Sequence, residues 1–202
     1  RRIFWGWIMD ARDPEKYGWT SVMTLPWHLT PAEDNSLRID PVEELKSLRY
    51  NEKRHGDVAL SENQETVVEG FESDCMEIRL TIEPNDATRF GMKILCSNGC
   101  EEETVVTYDA QQQEFVIDFE NASEDKDLTY AGREGAHLPS GSWKQTVPYT
   151  LGNRALDLDI FVDRSVVEIF VNSEVCMVQR VYPTREDSKN FRLFSRDGEL
   201  SV

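Results

Sequence analysis

Leu156-Asp157-Leu158-Asp159-Ile160-Phe161-Val162-Asp163-Arg164-Ser165-Val166-Val167-Glu168-Ile169-Phe170-Val171-Asn172 is the stretch whose reading decides the fold. Its first half alternates with period 2. Leu158, Ile160 and Val162 therefore share one face, and Asp157, Asp159 and Phe161 share the other. Asp163-Arg164-Ser165 reads as the turn, with Asp and Ser side chains holding the backbone. Val166 to Val171 then returns as a second strand. Such a hairpin, with one apolar face, belongs to an antiparallel sheet buried on one side.

The same period recurs outward from this hairpin. Met76, Ile78, Leu80 and Ile82 alternate with polar residues, as do Phe115, Ile117 and Phe119. Further runs are Phe90 to Cys96, Thr104 to Tyr108, Val175 to Tyr182 and Phe191 to Ser195. Turn signals separate them: Glu83-Pro84-Asn85-Asp86, Ser97-Asn98-Gly99, Pro139-Ser140-Gly141-Ser142, Val171-Asn172-Ser173-Glu174 and Asp197-Gly198. Many short strands with regular turns predict an all-β sandwich or barrel. Phe71 and Trp143 are expected to supply core aromatics.

Residues 1–40 differ. They hold Trp5, Trp7, Trp19 and Trp27, four of the chain's five tryptophans. Arg2 to Met9 and Gly18 to Leu25 each read as a strand, with Leu37-Arg38-Ile39 as a shorter third. Forty residues in two or three strands cannot close a core of their own. Between this segment and the sandwich, Pro41 to Arg49 reads as a short linker helix. Val42, Leu45 and Leu48 lie on one side, Asp40 caps it and Pro41 sits in its first turn.

Composition narrows the function. The 202 residues are 39% apolar and 30% charged, as in a globular protein. The net charge of −16 argues against nucleic acid and anionic membrane surfaces as partners. No apolar run reaches the ~20 residues of a membrane span. Of four cysteines, Cys96 and Cys100 bracket a turn, while His28, His55 and His137 stand singly, so no metal site and no cofactor are expected. The Cys96–Cys100 spacing permits a disulfide, with two free thiols the preferred reading. Asn121-Ala122-Ser123 fits a glycosylation pattern that is common by chance.

Two stretches carry a resemblance. Trp5-Gly6-Trp7-Ile8, Gly18-Trp19-Thr20-Ser21-Val22-Met23-Thr24-Leu25-Pro26 and Pro41-Val42-Glu43-Glu44-Leu45 look like the last blade and linker of the five-bladed propeller in family 32 glycoside hydrolases, the invertase, levanase and inulinase group. Leu156 to Asn172, with Val181-Tyr182-Pro183, resembles the hairpin of that family's C-terminal β-sandwich. Two departures stand out. Trp27 follows Leu25-Pro26 where the family usually carries Arg, and the chain stops at Gly198-Glu199-Leu200-Ser201-Val202 where relatives continue into a last strand.

The resemblance implies an architecture of three parts: a propeller-blade remnant over 1–40, a helical linker over 41–50, and a two-sheet sandwich of concanavalin or lectin-like jelly-roll type over 51–202. It also implies a parent β-fructosidase acting on sucrose, levan or inulin with retention. Such an enzyme needs two carboxyl groups about 5 Å apart. The family's Asn-Asp-Pro and Glu-Cys motifs, which carry them, are absent from this sequence, so no catalytic residue is expected and the chain alone is expected to be inactive. Arg12-Asp13-Pro14 spells the family's third motif but sits in a late loop, where it reads as a charged turn. Glu168, Asp159 and Asp163 cluster near the hairpin, and a structural part for Glu168, paired with Arg164 or Arg180, is preferred over catalysis or calcium.

Trp7 and Trp5 are the candidate substrate-binding residues, because family propellers line the fructose pocket with a Trp from this region. Packing between blades is the alternative for both. The expected partners are the rest of the parent's propeller and its fructoside. Two rivals remain: a carbohydrate-binding module for fructans, and an assembly domain that self-associates through its Trp-rich segment.

Overall fold

The computed structural model describes all residues except 11, 13–14, 16–17, 126–127 and 129–142. His137, the turn at Pro139-Ser140-Gly141-Ser142, and Asp13-Pro14 of the charged loop lie outside the described residues. The protein is almost entirely β, as the alternation predicts. In chain order the N-terminal strands are β1 (Arg2–Phe4), β2 (Trp7–Ile8), β3 (Val22–Met23), β4 (Trp27–Pro31) and β5 (Leu37–Pro41). A 3-10 turn follows over Glu43–Leu48. Then come β6 (Ala59–Leu60), β7 (Glu65–Val67), β8 (Cys75–Ile82), β9 (Arg89–Cys96), β10 (Thr104–Asp109), β11 (Glu114–Asp118) and β12 (Lys144–Pro148). The last are β13 (Leu156–Asp163), β14 (Val166–Val171), β15 (Val175–Arg180), β16 (Asn190–Arg196) and β17 (Leu200–Ser201).

Two antiparallel sheets form the sandwich. One runs β12-β11-β10-β9-β16-β7 and the other β15-β14-β13-β8. The period-2 pattern decides what lies between them. Phe90, Met92, Ile94, Val106, Tyr108, Phe115 and Ile117 from the first sheet meet Ile78, Leu158, Ile160, Val162, Val167 and Ile169 from the second, all buried. Each such side chain contributes about 2 kcal/mol on leaving water. Phe71 and Trp143 pack against this core, as expected. Gly91 marks where the first sheet closes most tightly: a β-carbon there would lie 1.9 Å from the Val106 carbonyl oxygen.

The deciding hairpin folds in the expected register, with Asp163 opposite Val166 and Leu158 opposite Val171. Its turn differs in detail: Arg164 itself takes the left-handed backbone conformation, at φ +51. The next turn has Asn172 and Ser173 at φ +48 and +56 and is closed by the Glu174 amide donating to the Val171 carbonyl (2.8 Å). Asn172 fixes it further, accepting from the Asp157 amide (2.7 Å) and donating to the Ala155 carbonyl (3.1 Å).

The N-terminal segment departs most from its sequence. Arg2 to Met9 is broken at Trp5-Gly6 into β1 and β2, which join different sheets. Gly6 there exchanges hydrogen bonds with Thr24 instead of extending either strand. Of Gly18 to Leu25 only Val22–Met23 is a strand, because Gly18 and Ser21 turn the backbone left-handed. Trp27–Pro31 lacks alternation yet is a strand, held between β1 and β5.

The linker helix is a single 3-10 stretch. Asp40 does not cap it: its backbone is engaged opposite His28 as part of β5, so Val42 precedes the first turn without any side-chain cap. Val42 is buried, whereas Leu48 faces solvent. Leu200–Ser201 forms a short strand against β6. Among the described residues no helix is long and apolar enough to cross a membrane.

One buried carboxylate organises the loops at the end of the first sheet. Glu102, fully buried, accepts from the amides of Thr184, Arg185 and Glu124 and from the hydroxyls of Thr184 and Ser188. Burial raises its pKa, but these donors outweigh burial and hold it below the usual glutamate value. Glu102→Gln replaces one of the two accepting oxygens with an NH2 that can only donate, and sets it against N–H and O–H donors. We expect a loss of about 3 kcal/mol in urea unfolding at pH 7. The deficit should shrink as pH falls below the unfolded glutamate pKa of about 4, where the wild type loses this contribution too.

Candidate functional site

Alternation on β13 and β14 leaves Asp159, Phe161, Glu168 and Phe170 on the face of the second sheet turned away from the core. An acid and an aromatic from each strand cannot remain there without a cover, and residues 1–41 provide it. Trp27 meets Phe170 edge-on, with centroids 6.0 Å apart, and packs tilted against Phe4 at 5.4 Å. Glu168, only 3% exposed, accepts from the Leu25 amide (2.7 Å) and from Trp27 Nε1 (3.0 Å). Burial pushes its carboxyl above the usual glutamate value, against the pull of those two donors. The Ile39 amide adds a main-chain bond of 2.8 Å to the Ser173 carbonyl.

The expected pairing of Glu168 with Arg164 or Arg180 is therefore not what forms. Arg180 is taken by Asp10, from the segment's own side of the contact, at 3.2 Å. Asp10 also accepts from Tyr182 Oη (2.6 Å) and from Arg12 Nε (3.1 Å). Burial opposes its ionisation, but hydrogen bonds from Arg12 and Tyr182 and the charge of Arg180 hold it far below the carboxylate range. The guanidinium groups of Arg12 and Arg180 lie over the rings of Trp19 and Tyr182, 4.8 to 5.8 Å from the centroids. Arg12 is thus engaged by Asp10 and two rings.

The structure separates the four N-terminal tryptophans. Trp27 is half-buried at the contact. Trp5 and Trp7 point outward, 50% and 68% exposed, and Trp19 is 49% exposed. With Ile3, Phe4 and Met23, also exposed, they leave this segment apolar on the surface it does not bury against the sandwich. Trp7 pairs with Met23 across β2 and β3, while its neighbour Ile8 is buried.

An open groove of about 2300 Å³ runs between the segment, the stretch at 49–58 and the outer face of β8 and β13. Glu77 and Asp159 lie in it. Arg49 holds Glu77 in a two-pronged ion pair. Burial first, then the neighbouring Glu77, push the Asp159 carboxyl up to about 7. A retaining pair must stand about 5 Å apart with the sugar between them, whereas one of these two acids, Glu77, is already held by Arg49. Asp163, the third acid of the cluster, is exposed at the end of β13.

Sequence reasoning missed Asp10, Tyr182, the Glu77–Asp159 pair and the donors to Glu168. Glu103, which the sequence does not group with the Cys96–Cys100 pair, joins it to bring two sulfurs and a carboxylate oxygen within 4.8 Å of one another.

Residues 44–202 match the family model described as "Glycosyl hydrolases family 32 C terminal". A levanase of Bacillus subtilis is 27% identical over 210 residues, covering 100% of this chain and 29% of the levanase. A sucrose-6-phosphate hydrolase of Zymomonas mobilis is 27% identical over 98% of this chain and 36% of its own length. Among solved structures, the exo-inulinase of Aspergillus awamori superposes with a TM-score of 0.75 at 22% identity, over 98% of this chain and 39% of that one. The chain thus spans about a third of the length of the curated relatives it matches.

Two tests address this contact. Glu168→Ala strands two buried donors and should cost about 2–3 kcal/mol. The Leu25 amide should exchange faster and tryptophan emission should shift to the red. Asp159 gives a pH signature of opposite sign to Glu102. Its raised pKa means the folded state holds the proton more tightly than the unfolded chain, so stability declines as pH rises from about 4 to about 7. Asp159→Asn should flatten that decline and gain about 1 kcal/mol at pH 8 by thermal or urea unfolding.

Proposed function

Because the chain belongs to the glycosyl hydrolases of family 32, through their C-terminal region, we propose that it is the non-catalytic part of a β-fructosidase. It holds the last propeller blade in place beside the sandwich. In this proposal residues 1–40 are that blade, 41–50 the linker and 51–202 the sandwich. The parent hydrolyses a β-fructoside such as sucrose, levan or inulin with retention of configuration, using carboxylates outside this chain.

The observation that carries this reading is the two-sidedness of the N-terminal segment. One side is fastened to the sandwich by Glu168, Asp10 and Trp27. The other exposes Ile3, Trp5, Trp7 and Met23. Exposed apolar surface of this kind marks an interaction face, and the remaining blades of the parent propeller are the partner of matching chemistry. Within that assembly Trp7, and secondarily Trp5, stack on the fructosyl ring. A second reading, self-association, is favoured by the same exposed face: in the absence of other blades the chain covers it with a second copy, detectable by light scattering.

The test compares the chain with the whole protein. The chain should release no fructose from sucrose, levan or inulin, and the whole protein should release it. Trp7→Ala in the whole protein should raise KM roughly tenfold, with a smaller change in kcat. Fructose release by the 202 residues alone would sink the assignment, and unchanged kinetics in the variant would remove Trp7 from the site.

A further inference from the structure

Cys96 ends β9 and is buried, while Cys100, four residues on, is half-exposed; their sulfurs lie 3.2 Å apart. The backbone imposes this approach. The Cys100 amide donates to the Ser97 carbonyl (3.1 Å) and the Ser97 amide to the Glu102 carbonyl (2.8 Å). Cys100 itself adopts a left-handed conformation, at φ +59. The loop is also fastened from outside. The Asn98 amide donates to Asp187 (3.1 Å), Asn190 donates to the Asn98 side-chain oxygen (3.1 Å), and Arg192 donates to the Asn98 carbonyl (2.8 Å).

Glu103 completes a possible ligand triad, but its carboxylate is already neutralised. The Lys93 ammonium sits 2.9 Å from Glu103 Oε2 and 3.1 Å from Glu65. A divalent cation at the triad would have to enter beside that ammonium. The two sulfurs are left facing each other.

We propose that Cys96 and Cys100 are a thiol-oxidation site, which closes to an intramolecular disulfide when the chain meets a small-molecule disulfide such as oxidised glutathione. The accessible Cys100 reacts first. Its thiolate attacks one sulfur of the oxidant, forming a mixed disulfide on Cys100 and releasing one glutathione. Cys96 then gives up its proton and attacks Cys100 Sγ, forming the Cys96–Cys100 bond and releasing the second glutathione. Two protein thiols lose two electrons, the oxidant's disulfide gains them, and the two cysteine protons end on the two glutathione thiols. Burial, then the contact with Cys100, raise the Cys96 thiol to about 12, which suits it to the second step and not the first. Because the same loop carries Glu102, the bond would lock the element that holds Thr184, Arg185 and Ser188.

The test uses the 202-residue chain with Cys75→Ser and Cys176→Ala, so that only this pair remains. After oxidised glutathione, the expected product is a monomer lighter by about 2 Da, with no titratable thiol, restored by dithiothreitol. In addition, Cys96→Ala should stop at a stable single glutathione adduct, heavier by about 305 Da. Peptide mapping of the oxidised wild type for a Cys96–Cys100 link gives the same answer should the variants fail to fold. A double glutathione adduct, a Cys100-linked dimer, or thiols that stay free would overturn the proposal. So would stoichiometric cadmium–thiolate absorption that protects the pair from oxidation, since that would make it a metal site.

Discussion

A carboxylate buried at the base of a sheet face must be given donors, and Glu168 is where this requirement shapes the molecule. It rises from β14 between Val167 and Ile169, both fully buried, on the face turned away from the core. Water would satisfy it if nothing covered β14, but Phe161 and Phe170 beside it require cover. A covering element must therefore bring donors with its apolar surface. Leu25 offers a backbone amide and Trp27 an indole N–H. Trp27 meets both demands: its ring packs on Phe170 and its nitrogen reaches Glu168. Both donors are neutral, and burial dominates the titration of Glu168.

The Asp10–Arg180 pair works differently. Its side chains are 1% and 3% exposed, so both ions lose hydration. Taking an ion pair out of water offsets much of its attraction. What remains is directional: Asp10 also receives Tyr182 and Arg12, and both guanidiniums lie over rings. Removing one partner would leave an unpaired buried charge, so only one docking of the segment satisfies all members. Packing of Trp27 on the buried Phe170 supplies attraction, while Asp10 and Glu168 select the geometry.

How much of this was legible in the sequence follows from the range of each interaction. The 156–172 hairpin could be read because its partners are neighbours: period 2 and a two-residue turn fix its register locally. The sandwich core followed from the same alternation. β4 could not be read, because Trp27-His28-Leu29-Thr30-Pro31 does not alternate and is a strand only through β1 and β5 on either side. Asp40 looked like a helix cap for the same reason, since its pairing with His28 is a tertiary fact. Glu168 reads as a structural residue in the sequence, but its donors lie more than 140 residues away and nothing near it names them. Arg180, the nearer choice, was already engaged by Asp10. Trp5 and Trp7 were visible as residue types, whereas their exposure depended on which side of the segment the sandwich covers.

These constraints determine what the segment can offer a partner. Fastened at Leu25, Trp27, Asp10 and Ile39, it cannot turn its exposed aromatics inward without breaking buried hydrogen bonds. Each buried donor or acceptor left unpaired would cost about 1–3 kcal/mol, and several would be lost together. Apolar exposure at Trp5, Trp7 and Met23 is therefore fixed by the fold itself and is not a matter of loose packing. A surface so fixed meets its partner without rearranging, so little ordering entropy opposes the contact. The sandwich thus acts on any neighbouring site by position: it contributes the rigidity with which the tryptophans are presented.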